Sequence, residues 1–344
     1  MARPLRIGLI GFGNIGAGVI EVLRANRDLL DARCPRPLQL RRVADIDLTQ
    51  PRSVEVDREL LTDDSESVVR DPEIDVVVEL IGGLEPARTL VETALREGKH
   101  VVTANKAMLA HHGADLLAVA AEKRVRLLFE AAVGGGIPIV RTLCEGLAAN
   151  RITRIEGILN GTCNYILTAM ASGKTYEEAL AEAHELGYVE ADPTADVEGM
   201  DAAHKIAILA SLAFGQDIRY EDVDREGITR ITQQDIRRAS GENCAIKHYA
   251  VAEMDEQGRV AVSVRPTLLG TDHLCHEVVG VLNAVVIEGF PVGQIMLKGP
   301  GAGPKPTASA VLSDLMWLSR IENGQSPPPS LLTIPPGKKP PKKA

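Results

Sequence analysis

The sequence predicts an α/β protein, a doubly wound parallel sheet followed by an α+β domain. Three observations carry this. A short apolar run, Leu5-Arg6-Ile7-Gly8-Leu9-Ile10, feeds a Gly-x-Gly-x-x-Gly turn that opens a helix. Apolar strands then alternate with helical stretches as far as Phe129, the pattern of a parallel sheet of Rossmann type. From about Gly134 the alternation ceases, and the later strands read as a mixed or antiparallel sheet.

Taken in order, the turn is Gly11-Phe12-Gly13-Asn14-Ile15-Gly16. Gly11 permits a tight bend, Gly13 leaves room for phosphates, and Gly16 lets helix and strand pack closely. The helix, Ile15 to about Leu30, offers free N–H groups to a pyrophosphate. A Gly-rich turn in some other α/β protein is the bland alternative. Strand two, Leu38 to Ala44, ends at Asp45. Ile74 to Leu80 is nearly continuous and β-branched, as a strand buried on both faces should be. A helix over about Pro86–Glu97, a strand His100–Thr103, a helix from Lys106 to about Glu122 and a strand Val125–Phe129 complete the first domain. Polar punctuation falls at strand ends, at Glu79 to Gly83, Ala104-Asn105-Lys106 and Glu130 to Pro138, where such sheets bind ligands.

Beyond, Ile152–Leu159 reads as a strand, Asn160-Gly161-Thr162 as a turn, and a helix starts near Asn164. Tyr176–Leu186 is helical and Gly187 stops it. Tyr188 to Gly199 is a polar loop, and Asp201 to Phe214 an Ala-rich helix. Cys244–Val251, Val260–Val264 and Ala284–Gly289 are strands. A second Gly-rich loop, Gly299 to Gly303, precedes a helix over about Ala308–Arg320. The expected domains are 1–133, completed by 300–322, for the nucleotide; 134–299 for substrate and dimerisation; and a disordered Pro/Lys-rich tail, 323–344.

Composition narrows the function. The 344 residues carry a net charge of −9 and 3% aromatics, so neither a basic footprint nor stacking platforms point to nucleic acid. No apolar run approaches the roughly 20 residues of a membrane span, and strand one begins almost at once, leaving no room for a signal peptide. Five scattered cysteines without C-x-x-C spacing suit a reducing, cytoplasmic location.

The chemistry concentrates in Tyr188 to Lys205, where acidic groups surround one lysine. Asp201 and Lys205 are four apart, on one helix face. As a surface pair they would mean little. The helix is apolar on most sides, however, and a lysine at the mouth of a buried helix is costly unless paired or used. Burial and carboxylates tune such a lysine in opposite directions, fitting it for proton exchange in carbonyl chemistry. Lys106 follows a sheet strand at the edge where a nicotinamide should lie; its bland reading is a helix-start residue.

These motifs together resemble homoserine dehydrogenase. The resemblance rests on Gly11 to Gly16, Ala104-Asn105-Lys106, Val133-Gly134-Gly135-Gly136-Ile137-Pro138, Asn160 to Leu167, Leu186 to Pro193, Asp196 to Lys205, and Gly299 to Gly303 with Pro306 to Ala310. They stand in family order over about residues 5–320. The run Gly187 to Lys205 is highly specific; the glycine fingerprint is not. The resemblance implies NAD(P)-dependent interconversion of L-homoserine and L-aspartate 4-semialdehyde, in threonine and methionine biosynthesis. It makes Lys205 the acid/base, Asp201 its orienter, and Lys106 a contact of both cofactor and substrate. Glu190 would hold the substrate ammonium with Asp196 nearby, and Thr162 and Tyr188 would line the pocket. The cofactor would lie along Gly11 to Gly16, Asp45 and Gly303. A monovalent cation, sodium or potassium, would sit on Glu130 and the carbonyls of Val133, Gly135 and Ile137; a flexible turn is the bland reading of those glycines. A homodimer or higher homo-oligomer is implied.

The chain departs from the family in places. Cys163 stands where many relatives have threonine. Lys305, placed in the second Gly-rich loop, either helps hold a phosphate or faces water. Many relatives continue into a C-terminal domain that senses an amino acid, whereas this chain runs into its Pro/Lys stretch; no threonine feedback through such a domain is expected. Asp45 followed by Ile46 favours NAD, while Arg41 and Arg42 keep NADP open. The alternatives are a dehydrogenase for a related amino-acid semialdehyde and a catalytically silent NAD-binding regulator. Lys106, Glu190, Asp201 and Lys205 together speak against the regulator, which needs none of them.

Overall fold

The alternating apolar runs of the first third become six parallel strands. The computed structural model describes residues 3–189 and 191–320, which divide into two units, 3–138 with 302–320, and 139–301. The first unit contains β1 (Leu5–Ile10), α1 (Asn14–Ala25), α2 (Arg27–Arg33), β2 (Leu38–Ala44), β3 (Leu61–Thr62), α3 (Ser65–Arg70), β4 (Val76–Glu79), α4 (Ala87–Arg96), β5 (His100–Thr103), α5 (Lys106–Lys123) and β6 (Leu127–Leu128). Strand order is β3-β2-β1-β4-β5-β6, so the order reverses between β1 and β4, at the carboxyl end of β1 where Gly11 begins. β1 and β4 are buried at every residue, which explains their unbroken apolar runs.

The second unit contains α6 (Ile139–Arg141), which runs into a π-helical turn at Thr142–Gly146, then β7 (Arg151–Ile158), α7 (Gly161–Ala171), α8 (Tyr176–Glu185), α9 (Thr194–Val197), α10 (Met200–Phe214), β8 (Asp224–Arg225), α11 (Gln233–Gly241), β9 (Cys244–Met254), β10 (Val260–Gly270), β11 (Leu282–Phe290) and β12 (Gly293–Pro300). Its sheet is mixed, in the order β12-β11-β7-β9-β10-β8. Only the short β8 pairs in parallel. The chain then returns to the first unit as α12 (Pro304–Ser319), whose Val311, Leu315 and Leu318 join the core of β1 and α1.

Several elements differ from the sequence reading. The helix expected through Leu30 breaks at Asn26, which leaves helical geometry to end α1 and begin α2. The helix expected near Asn164 starts at Gly161, because the Asn160 side chain caps it by accepting the Cys163 N–H. The strand expected over Val125–Phe129 shrinks to two residues, since Phe129 turns into a 3-10 turn at Glu130–Ala132. The loop Tyr188 to Gly199 contains α9. α11 escaped notice because it is polar, with only Ile236 and Ala239 buried. Lys305 lies in the first turn of α12 rather than in the loop, with Nζ 3.7 Å from Glu21. The expected tail, 323–344, lies outside the described residues.

β5 also holds a stability device. His100 Nδ1 accepts the Arg126 N–H at 3.0 Å, and burial, with the charges of Arg126 and Arg36, pulls the imidazole down to about 4 from an ordinary 6.5. Between those values the unfolded chain binds more protons, so stability falls as pH falls through that window. This group alone should remove about 2 kcal/mol between pH 7.5 and pH 5. In urea unfolding at both pH values, His100→Gln should lose less than the parent; an equal loss would exclude the group as the cause.

Candidate active site

In the first unit the glycines do separate jobs. Gly11 adopts φ +99°, and a Cβ there would lie 2.7 Å from the Leu80 carbonyl carbon. A Cβ on Gly16 would sit 2.1 Å from Gly11 O. Around Gly13 nothing lies within 4 Å of such an atom, so the space it leaves is open. Gly13 is also the N-cap of α1 and brings no side-chain cap. The first-turn N–H groups, on Asn14, Ile15 and Gly16, therefore suit an anion.

Asp45 stands at the end of β2, and its carboxylate braces the turn. Oδ2 accepts the Phe12 N–H at 2.7 Å and Oδ1 the Asp47 N–H at 3.1 Å. The basic neighbour is neither Arg41 nor Arg42, as the sequence reading allowed. Arg42 donates to Glu59 O at 2.8 Å. Arg52 instead lies 3.5 Å from Asp45 Oδ1, with its guanidinium 5.7 Å from the Phe12 ring centroid. Ile46 is 92% exposed.

At the ends of β4 and β5 a fully buried carboxylate ties two loops together. Glu79 Oε1 accepts the Ile81 and Gly82 N–H groups at 2.9 and 3.2 Å, and Oε2 accepts the Thr103 hydroxyl at 2.5 Å. Burial pushes this carboxyl up, against hydrogen bonds that favour its charge. Asn105 caps α5 through Met108 N–H at 3.1 Å and donates to Gly83 O at 2.8 Å. Lys106 is thereby fixed as the first residue of α5. Gly303 is the N-cap of α12 at φ 114°, a conformation that needs glycine. Glu130 is 3% exposed, and its N–H donates to Asp314 at 3.0 Å. Val133, Gly135 and Ile137 follow in a turn that is left-handed at Gly134 and Gly135.

The second unit gathers the acid/base candidates. Lys205 is 7% exposed and donates from Nζ to Asp201 Oδ2 at 2.7 Å and to Leu159 O at 2.8 Å. α10 delivers both side chains from one face, and its residues from Asp201 to Ser211 are buried except the half-buried His204. Asn160 Nδ2 donates to Asp201 Oδ2 at 2.8 Å and to Asp196 Oδ1 at 2.7 Å. Asn283 Nδ2 shares the Leu159 carbonyl at 2.9 Å. The Thr162 hydroxyl donates to Tyr188 O at 2.7 Å, pinning the end of the polar loop, and the Tyr188 ring meets Tyr165 edge-on at 5.1 Å. Cys163 is fully buried, its thiol 3.2 Å from Asp196 O; burial, then the charges of Asp196 and Asp201, push it far above the usual thiol range. It is a neutral packing group. Glu190 lies outside the described residues.

Sequence reasoning placed Glu79, Asn105 and Asn160 in segments that matter without giving them roles of their own, and it missed Arg52 and Asn283. For Glu79 a signal existed: a carboxylate closing a buried apolar strand. For Asn283 there was none, since its partner is a main-chain carbonyl 124 residues away.

A family model described as "Homoserine dehydrogenase, NAD binding domain" matches residues 11–130, and one described as "Homoserine dehydrogenase" matches residues 138–316. The chain belongs to the homoserine dehydrogenase family. It is 46% identical to a homoserine dehydrogenase of Bacillus subtilis over 315 residues, 91% of this chain and 72% of the relative. The crystal structure of a homoserine dehydrogenase from Thiobacillus denitrificans matches with TM-score 0.87 and 44% identity, over 92% of this chain and 74% of that one. A hyperthermophilic archaeal homoserine dehydrogenase in complex with NADPH matches with TM-score 0.77 and 29% identity, over 91% and 97%. As a member of this family the chain is an NAD(P)-dependent oxidoreductase with a parallel nucleotide-binding sheet and a mixed second sheet. No helix among the described residues is long and apolar enough to cross a membrane.

Proposed function

We propose that the chain interconverts L-homoserine and L-aspartate 4-semialdehyde, with Lys205 as the proton-exchanging group. The observation that carries this is the buried Lys205–Asp201 pair at 2.7 Å, both side chains held at a loop rich in carboxylates. A lysine has three donors, and Asp201 and Leu159 take two. The third is assigned to the substrate oxygen. There Nζ gives a proton as the aldehyde oxygen gains its electron pair, and takes it back in the reverse direction. Asp201 and the Leu159 carbonyl hold Nζ in place meanwhile. Glu190 with Asp196 is assigned the substrate ammonium, Thr162 and Tyr188 the pocket wall, and Lys106 contact with cofactor and substrate.

The first unit fits a dinucleotide: the open space at Gly13, the uncapped start of α1, and Asp45 at the end of β2 are the features a pyrophosphate and ribose require. When bound, NAD(P) supplies the hydride acceptor or donor. Asp45 supports a preference for NAD, because its carboxylate would repel a 2′-phosphate; Arg52 beside it tempers that repulsion. Asp45→Asn keeps the acceptor for Phe12 N–H and removes the charge. It should raise the NADP-to-NAD ratio of kcat/KM by about tenfold, or about 1.4 kcal/mol. An unchanged ratio would rule Asp45 out as the discriminator.

A monovalent cation is assigned to Glu130 and the carbonyls of Val133, Gly135 and Ile137, supported by the buried carboxylate and the left-handed turn. A homodimer is assigned too, supported by exposed Leu268, Leu274 and Val279 in and beyond β10 and by Phe290 at 77% exposure; sedimentation tests it. The reaction itself is tested by following the reduced-cofactor absorbance with L-homoserine and either NAD or NADP. Appearance of the band is expected. Its absence with both cofactors, or equal rates with amino alcohols of other chain lengths, would overturn the assignment.

A further inference from the structure

We propose that Asn160 is a positioning residue that locks Asp196 and Asp201 into one hydrogen-bonded pair and so aims Asp201 at Lys205. The inference rests on the acid/base reading of Lys205 given above. Asn160 is 3% exposed and its carboxamide is almost fully committed. One N–H goes to Asp196 Oδ1 at 2.7 Å and the other to Asp201 Oδ2 at 2.8 Å, while its oxygen accepts the Cys163 N–H at 2.7 Å. Turning the amide over would set its oxygen against two carboxylates and its NH2 against an N–H. The network therefore fixes the orientation. The Asp201 oxygen that takes this bond is the one that takes Lys205 Nζ.

The helix cap alone does not call for asparagine. Serine, threonine or aspartate caps an N-terminus about as well. The bridge does call for it, since two donors and one acceptor at this side-chain length are found only in asparagine. Two neighbouring carboxylates raise each other's proton affinity, and hydrogen bonds to the charged forms oppose this. Asn160 supplies such bonds to both without adding a charge. Among the described residues, the titratable groups that face this cluster are Asp196 on α9, Glu198 just after it, Asp201 and Lys205 on α10, Cys163 on α7 and His248 on β9. Cys163 and His248 stay neutral through burial, which pushes the thiol up and the imidazole down. Among these groups that leaves the carboxylates, Lys205 and the amide between the two aspartates.

The test compares the full chain with Asn160→Ser, Asn160→Asp, the swap Asn160→Asp/Asp196→Asn, and Lys205→Ala. Each is assayed for homoserine oxidation across pH, with melting temperature as a check on folding. Both single Asn160 variants keep a cap, and Asn160→Ser should melt closer to the parent than Asn160→Asp, which buries a third carboxylate against two. Asn160→Ser should lower kcat by about tenfold or more, with cofactor KM little changed. Asn160→Asp should move the acidic limb of the kcat profile up by about one pH unit, because a third carboxylate replaces the amide. The swap restores the number of carboxylates but still sets one against Asp201 Oδ2, so the limb should stay raised, and its return to the parental position would show that total charge and not the Asn160 bond matters. A merely structural role would not shift the limb. If Asn160→Asp folds poorly, the kcat effect of Asn160→Ser decides. Parental kcat and pH profile in the Asn160 variants, with Lys205→Ala inactive, would overturn the proposal alone. An active Lys205→Ala would overturn the acid/base reading and this inference with it.

Discussion

Lys205→Ala should lower kcat for L-homoserine by about 10²–10⁴-fold, the range that a positioned proton-transfer group contributes. Cofactor binding, read by fluorescence of the reduced nucleotide, should stay close to the parent. The reason is local: Lys205 belongs to the second unit and touches Asp201 and Leu159, whereas the glycine turn and Asp45 belong to the first. Removing the ammonium also strands the Asp201 carboxylate, which keeps Asn160 but loses its cation, in a site where Asp201 is only 9% exposed. Some fall in melting temperature should therefore accompany the loss of turnover. Lys205→Met, which fills the space without the charge, separates the two effects: its stability tells what packing contributes, while its rate should stay as low as that of the alanine variant. Turnover near the parent's in both variants would remove Lys205 from the mechanism.

How much of this was legible beforehand depends on the range of the interactions. The glycine turn was readable because its work is local: Gly11, Gly13 and Gly16 act on a strand and helix that adjoin them in sequence, with the Leu80–Ile81 main chain as a distant wall against Gly11. The Asp201–Lys205 pair was readable for the same reason, being one helical turn apart. The parallel sheet followed from strands buried on both faces. What stayed hidden was held by long-range contacts or by polar side chains turned on the main chain. Asn160 reaches Asp196 and Asp201 across 36 and 41 positions, and its cap moved the start of α7 three residues earlier than apolar spacing suggested. Arg52 reaches Asp45 from a loop with no periodicity, so the sequence brought only Arg41 and Arg42, earlier in the strand, into view as basic residues that could reach in. Homoserine dehydrogenase motifs located the segments that matter; they did not reveal which side chains brace them.

The second large effect concerns the glycine turn, where two substitutions that look alike should fail differently. Gly16→Ala sets a methyl 2.1 Å from Gly11 O, a main-chain atom that cannot swing aside. Strand end and helix start must separate, so the variant should melt lower and also bind nucleotide more weakly. Gly13→Val brings its side chain into space where nothing lies within 4 Å of the first carbon, at φ −74°, a backbone conformation that suits any residue. Its melting temperature should match the parent's, while the Kd for reduced nucleotide should rise by about 100-fold, or about 2.7 kcal/mol. The bulk would occupy the volume reserved for phosphates and cover the uncapped N–H groups of α1. The contrast is what counts. Two variants equally destabilised would make the turn an architectural device only, and a Gly13→Val chain that binds nucleotide as tightly as the parent would mean that the pyrophosphate lies elsewhere.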